Sequence, residues 1–440
     1  MSALAELFAR RGVRVTGCDS GSDGAADLRR HGIEVQRGHD PMHAAGARAL
    51  VVSSAVPKDH PELAHARSLG VPVIRRAEAL GEVTAGAGRE LVAVAGTHGK
   101  STTTAMIAEA LAAAGRDPTA LVGARVASWN GNLRPGSDRV FVVEADEYDR
   151  SFLALTPTVA VVTNVEADHL DIYDDLQDIH RAFAQFIFGA RGIVLCGDQA
   201  GAAGLPTPAS SEVIRYGLTS PDARLFARGA RAVGTGSAFV AEFDGERLGT
   251  VTLRVAGQHN ILNALGALAA GFLLGAPFDG LARGLAAFAG TERRFQRLGD
   301  AKGVTVIDDY AHHPTEIRAT IAAARTSFPG RRIVVAFQPH LFSRTRDFAA
   351  DFAATLAEGD AIYLADIYPA REQPIAGVTS DMIVAGSSAA QAKLAWRGDR
   401  AHLAAALAAG VRYGDVVITM GAGDITKTGP ELLATLGAAA

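Results

Sequence analysis

Short apolar runs rich in Val, Ile and Leu alternate along this chain with longer stretches whose apolar residues recur at helical spacing. Residues 13–17 (VRVTG), 33–35 and 49–53 (ALVVS) open the series. Residues 91–95 (LVAVA), 140–144 (VFVVE), 159–163 (VAVVT) and 192–196 (GIVLC) continue it, and all four read as buried parallel strands. A third set follows at 304–308, 333–337, 361–365 and 416–420, interleaved with Ala-rich helices. Strand and helix in such alternation predict parallel sheets covered by helices. The pattern changes around Asp244-Gly245, where AFVAEF and GTVTLRV flank a turn dipeptide and predict an antiparallel hairpin. An apolar helix is expected over 261–274, and the Ala-rich tail also reads as helix.

Breaks in this pattern set the domains. The small, Gly-rich stretch 84–90 (TAGAGRE) reads as a linker, and a second boundary falls near 290–299 (GTERRFQRLG). Three α/β domains are expected, over residues 1–88, 89–296 and 297–440, in a chain of 440 residues.

Composition narrows the function classes. With 43 basic and 47 acidic residues the formal charge is −4, which argues against a dominant nucleic-acid or polybasic membrane role. Two cysteines, Cys18 and Cys196, argue against a disulfide framework and a cysteine-rich zinc site. The apolar runs are too short to cross a membrane, and the first residues lack a signal-peptide core. The expected setting is reducing and cytoplasmic.

The strongest chemical signal is Gly96-Thr97-His98-Gly99-Lys100-Ser101-Thr102, between an apolar strand and a helix. That context presents backbone N–H groups and a helix N-terminus to a phosphate chain. Lys100 is placed for the β/γ-phosphates and Ser101 for a magnesium ion. The general P-loop pattern has glycine where Val94 stands, so this is a variant form; a Gly-rich turn with a hydroxyl cap is the plainer reading. Glu144 ends the strand VFVVE, where a carboxylate beside a P-loop can hold a divalent cation; the acids of EADEYD otherwise read as a solvated loop. His169, in TNVEADHLD just past the next strand, is a candidate metal or phosphate ligand on the same strand-end face, or a structural histidine.

In order and spacing, GTHGKSTT, EADEYDRSF and TNVEADHLD resemble the ATPase domain of the Mur ligase family. The segments GQHNILN, RRFQ, DDYAHHPTE, FQPHLFSRTR and GAGDI extend the likeness over essentially the whole chain. They resemble the branch that adds the first amino acid. The resemblance implies a Rossmann-like N-terminal domain, a central P-loop ATPase domain and a Rossmann-like C-terminal domain. It implies ATP and Mg2+ as cofactors, and UDP-N-acetylmuramate and L-alanine as substrates, in a monomer or homodimer without nucleic acid or membrane insertion. The family takes the γ-phosphate of ATP onto the muramate carboxylate, and the amine of the amino acid then displaces phosphate.

Carried over residue by residue, the resemblance makes Lys100, Glu144 and His169 catalytic. Ser101 and Glu144 hold magnesium, and His169 holds a second ion. His259, Asn260, Asn263, Arg294 and Asp309 join the P-loop on the nucleotide. His313, His340 and Arg344 are the candidates for alanine. For the UDP-sugar the candidates are Asp19, His39, Ser53 and Ser54; Asp19 reads equally as a ribose partner or a turn cap. No lysine lies between Lys100 and Lys302, so the carbamylated lysine of several relatives has no counterpart, which agrees with the alanine-adding branch.

Family members begin with a strand and a loop of the form GIGGxGMSALAE, and this chain opens at Met1-Ser2-Ala3-Leu4-Ala5-Glu6. The expectation is therefore an N-terminal sheet without its first strand, exposed strand edges, and weakened grip on the UDP diphosphate. Two other functions stay open from sequence: a ligase that recycles a preformed tripeptide, and a UDP-sugar or nucleotide-binding protein without ligase activity.

Overall fold

The computed structural model describes residues 1–21, 25–170, 172–370 and 372–438. The parallel strands expected of the central and C-terminal regions are present, several to the residue: Gly192–Cys196, Ile333–Phe337, Ala361–Ala365 and Val416–Met420. Every residue of these four strands is buried, as continuous apolar runs covered on both faces must be.

By compactness the chain forms two units, one comprising 1–229, 239–251 and 262–288, the other 230–238, 252–261 and 289–440. The first is built on a ten-stranded sheet. At its centre, Glu90–Ala95 lies between Val159–Val162 and Ser137–Glu144, parallel to both. Pro118–Val126 extends the sheet beside Ser137–Glu144, and Gly131–Arg134 closes that edge in antiparallel pairing. These two strands, with Glu212–Gly217 and Leu225–Val233, were not expected: charges and glycines interrupt their apolar pattern. The predicted hairpin forms from Gly236–Phe243 and Glu246–Leu253, with Asp244 and Gly245 at φ 50° and 85°, the left-handed pair a tight two-residue turn demands.

The N-terminal region joins this unit through its helices. Ser2–Arg10 turns Ala3, Leu4 and Leu7 into the same core as Leu80 and Val83 of Arg76–Thr84 and Phe141, Phe152 and Phe183 of the central region. Its strands form two separate parallel pairs, Thr16–Asp19 with Glu34–Arg37 and Leu50–Val52 with Val73–Arg75. In Thr16–Asp19 only Cys18 is even partly covered. The pairing begins three residues later than the VRVTG pattern suggests, because the apolar character of Val13 and Val15 lies in the connection after the first helix.

The second unit holds a six-stranded sheet in the order Gln296–Ala301, Val304–Asp309, Val416–Met420, Ile333–Phe337, Ala361–Ala365 and Leu394–Gly398. The first pair is antiparallel and the rest are parallel. Apolar clusters pack on both faces. Among the described residues no helix is long and apolar enough to cross a membrane.

Candidate functional site

Strand Glu90–Ala95 ends in a loop whose backbone is forced by contact. Gly96 sits at φ 136°, and a Cβ there would lie 2.0 Å from Thr163 Oγ1. Gly99, at φ 82°, opens the helix Lys100–Ala113. The neighbouring Thr163-Asn164 segment braces the loop. The amide of His98 donates to Asn164 Oδ1 at 2.8 Å, the His98 carbonyl accepts from Thr163 Oγ1 at 2.6 Å, and Thr97 Oγ1 accepts from the Glu166 amide at 2.9 Å. The helix N-terminus and its partial positive charge are thereby held at the strand's C-terminal end, a cradle suited to phosphate. Thr102, the third residue of the helix, is buried behind Ser101. Asn263 approaches from Gln258–Leu273; its side-chain oxygen would lie 2.8 Å from a Cβ on Gly99.

Lys100 bends back over this loop. Its ammonium donates to the Gly96 carbonyl at 2.7 Å and to both oxygens of Glu147 at 2.8 Å. Burial alone favours the neutral amine, but Glu147 and Asp146 outweigh it and hold Lys100 firmly protonated. Burial pushes the Glu147 carboxyl up to about 7, and Lys100 pulls it back only in part. Ser101 Oγ stands 3.0 Å from each oxygen of Glu144, and Glu144 also accepts from the Gly123 amide at 2.6 Å. A hydroxyl against a carboxylate is the oxygen-donor set that a hard divalent cation takes.

His169 completes the group. Its Nε2 lies 3.7 Å from Glu147 Oε1 and 3.8 Å from Asp168 Oδ2, and its ring meets Tyr148 edge-on at 5.1 Å. The backbone there is left-handed, φ 54°. The structure therefore brings together Lys100, Ser101, Glu144 and His169 from three loops. Sequence reasoning missed Glu147, the residue that joins Lys100 to His169; its position as the second Glu of EADE was the available signal. A cavity of about 190 Å³ beside Glu144 and Asp146 is lined also by Gly123, Asn132, Ser2 and Arg76, so the N-terminal helices border this site.

Of the UDP-sugar candidates, Asp19 ends strand Thr16–Asp19, His39 follows Glu34–Arg37, and Ser53 and Ser54 follow Leu50–Val52. Asp19 Oδ1 accepts from the Gly21 amide at 2.8 Å, the turn-capping alternative. His39 is exposed, and its ring nitrogen meets Cys18 and Glu62. Ser53 accepts from the Val56 amide through its carbonyl, forming the turn that displays Ser54.

The second unit gathers its candidates past the C-terminal ends of its parallel strands, where such sheets bind ligands. Asp309 is buried and accepts from the amides of Phe295 and Ala311 and from Thr320 Oγ1. Burial raises its carboxyl to about 6, against the pull of Arg294. Arg294 lies over the Tyr310 ring at 5.1 Å and pairs with Glu316. His259 is half-buried and its pKa is lowered to about 4, first by desolvation and then by Arg294; Asn260 donates to the Ala256 carbonyl at 2.7 Å. His313 caps helix Pro314–Ser327 and packs edge-on against Phe348. Arg344 is buried, and its carbonyl accepts from the Phe348 amide at 3.0 Å. His340 stacks on Tyr368 and faces His312, a neighbour that sequence reasoning left without a role.

Three family models match the chain in succession: the Mur ligase family catalytic domain over residues 1–87, the Mur ligase middle domain over 94–271 and the Mur ligase glutamate ligase domain over 293–423. The UDP-N-acetylmuramate–L-alanine ligase of Acidothermus cellulolyticus is 45% identical, the match covering 99% of this chain and 92% of that protein. The protein of that name from Geobacter sp. strain M21 is 42% identical over 100% of this chain and 96% of its own. The crystal structure of UDP-N-acetylmuramate–alanine ligase from Thermotoga maritima superposes with a TM-score of 0.84 at 26% identity, covering 100% and 97% of the two chains.

Proposed function

The chain belongs to the Mur ligase family, and we infer from that membership that it joins L-alanine to the carboxylate of UDP-N-acetylmuramate at the expense of ATP, a step of peptidoglycan synthesis. The observation that carries the reading is the full-length likeness to relatives of that one activity, together with the loop that sets Lys100 and the Ser101–Glu144 pair side by side.

The chemistry asks two anionic reactants to meet. Lys100, held protonated, is the cation that offsets charge on the transferring phosphoryl group, and the helix N-terminus behind it adds backbone donors. Ser101 and Glu144 fit a magnesium ion, their oxygens facing one another at 3.0 Å; bound there, it would neutralise charge on the phosphates. The muramate carboxylate oxygen bonds to the γ-phosphorus as ADP leaves, and the alanine nitrogen then bonds to the acyl carbon as phosphate leaves. For phosphate to reach Lys100, Glu147 has to yield the ammonium; that exchange of one anion for another keeps the buried charge balanced throughout. His169 lies beyond Glu147, its Nε2 3.7 Å from Oε1, and on this reading it stands beside the acyl phosphate. In the second unit, Arg344, His313 and His340 supply the cationic and donor groups suited to the alanine carboxylate. The same reading carries a cytoplasmic setting, because it takes a nucleotide sugar and ATP as substrates.

The test is direct. Incubation with UDP-N-acetylmuramate and ATP, with either L-alanine or the L-alanyl tripeptide, should yield the alanine product and ADP, read by mass spectrometry. Preferential consumption of the tripeptide would assign the recycling reaction instead. Nucleotide binding without product would reduce the protein to a binding module.

A further inference from the structure

Away from the P-loop, the N-terminal region holds a buried carboxylate whose ion-pair partners among the described residues are three histidines: His39, His43 and His60. The carboxylate is Glu62, on the first turn of helix Pro61–Ser68. Cys18, from strand Thr16–Asp19, points its sulfur at the same place. Cys18 Sγ lies 3.2 and 3.4 Å from the two Glu62 oxygens and 3.4 Å from His39 Nδ1, and His39 Nδ1 lies 3.5 Å from Glu62 Oε2.

We propose that Cys18, His39 and Glu62 form a binding site for a zinc-type divalent transition metal, oriented by His43 and His60. Zinc bonds of about 2.0–2.3 Å to N, O and S make tetrahedron edges of about 3.3–3.7 Å. The three donor atoms lie within 4.8 Å of one another, and their closest separations are already near such edges. One sulfur, one imidazole and one carboxylate form a borderline-soft set that suits zinc and not magnesium or calcium. Three protein ligands leave the fourth position to water.

The surroundings are those of a metal site. Glu62 Oε1 is held by His43 Nδ1 at 2.8 Å and by the Asp40 amide at 3.1 Å, which fixes the carboxylate's orientation. The His60 ring meets His39 edge-on at 4.9 Å and limits how that imidazole can turn. Burial opposes the charge on Glu62, but the donors from Cys18, His43 and Asp40 outweigh it and keep the group anionic. A bound ion would take the place of the thiol proton and turn a neutral donor into a thiolate ligand. It would also tie the strand carrying Cys18 to the loop after Glu34–Arg37 and to helix Pro61–Ser68, in the part of the fold where strand edges are exposed.

The experiment uses the untagged 440-residue chain, stripped of metal by chelator and titrated with Co2+ and then Zn2+. Expected are a thiolate-to-cobalt charge-transfer band in the near ultraviolet, visible bands of tetrahedral intensity, displacement of both by one equivalent of Zn2+, and a higher unfolding temperature. Cys18→Ser should abolish the charge-transfer band, and Glu62→Gln should weaken metal binding by roughly 10–100-fold. Cys196→Ser should keep the band, since that thiol is buried in the central sheet. Absence of a charge-transfer band in the unmutated protein would overturn the proposal, as would its survival in Cys18→Ser. The unmutated protein's spectrum decides the matter even if a variant fails to fold.

Discussion

Glu147 holds Lys100 through both carboxylate oxygens, each 2.8 Å from the ammonium nitrogen, inside the loop proposed to receive phosphate. A carboxylate placed there competes with the nucleotide for the same cation. Glu147→Gln should therefore tighten ATP binding several-fold in calorimetric titration. It should also lower stability, because Lys100 is left with a neutral partner in a buried setting; the loss is on the order of 1–3 kcal/mol by denaturant unfolding. Unchanged nucleotide affinity would show that the two anions do not share the lysine.

Removing the cation is the converse case. Lys100→Ala should lower ATP-dependent turnover by on the order of a hundredfold or more, as loss of a preorganised charge does. The chain should still fold. Its stranded partner, Glu147, is raised by burial to about 7 and can take up a proton in place of the lost ion pair. Circular dichroism and ADP release, measured on the same sample, separate loss of chemistry from loss of structure.

Glu144 meets Ser101 at 3.0 Å, and His169 stands on the far side of Glu147. Glu144→Ala should raise the magnesium concentration needed for half-maximal rate and cut turnover by roughly a hundredfold. His169→Ala should cut turnover with a smaller effect on magnesium dependence at the Ser101 position. Normal rates and normal magnesium response in both variants would mark these residues as structural.

The sequence was most informative where one physical signal dominated. Strands such as Ile333–Phe337 and Val416–Met420 are buried on both faces, so their apolar runs leave no other reading. Pro118–Val126 and Leu225–Val233 escaped because Gly123, Arg125 and the exposed stretch after Ala227 break the apolar run, while backbone pairing with a neighbour still makes them strands. Lys100, Ser101, Glu144 and His169 were legible because strand ends of a parallel sheet fall on one face whatever the loop lengths. Glu147 was not, since EADEYD offers four acids and only the fold decides which one turns inward to the lysine. Cys18 lies on a strand, His39 in a loop and Glu62 on a helix, and no spacing rule connects them.

His259 supplies a pH test. Burial, with Arg294 adding to it, lowers its pKa from 6.5 to about 4, so the native state keeps it neutral where the unfolded chain is protonated. The unfolded state then binds more protons between about pH 6.5 and 4, and this group's stability contribution is full above that window and lost as pH falls through it. Unfolding free energy measured across the window should fall less steeply in His259→Gln than in the unmutated chain. Parallel curves would mean that His259 titrates normally in the fold.

Gly96 offers the sharpest separation of loop geometry from loop chemistry. No catalytic group is lost in Gly96→Ala, yet its Cβ would lie 2.0 Å from Thr163 Oγ1 and 3.1 Å from the Asn164 amide, at a φ of 136° that side chains rarely adopt. The loop has to move, and with it the carbonyl that positions Lys100 at 2.7 Å. Gly96→Ala should therefore lose ATP turnover almost as completely as Lys100→Ala. Thr163→Ala alone should be milder, losing the hydrogen bond to the His98 carbonyl, worth about 1 kcal/mol. Combined with Gly96→Ala it removes the nearest clash but leaves the backbone strain and the Asn164 contact. The double variant should accordingly recover part of the nucleotide affinity that Gly96→Ala loses, a non-additive result expected only of residues in direct contact. Strict additivity in calorimetric titrations of the three variants would show that the loop fails for a reason other than its collision with Thr163.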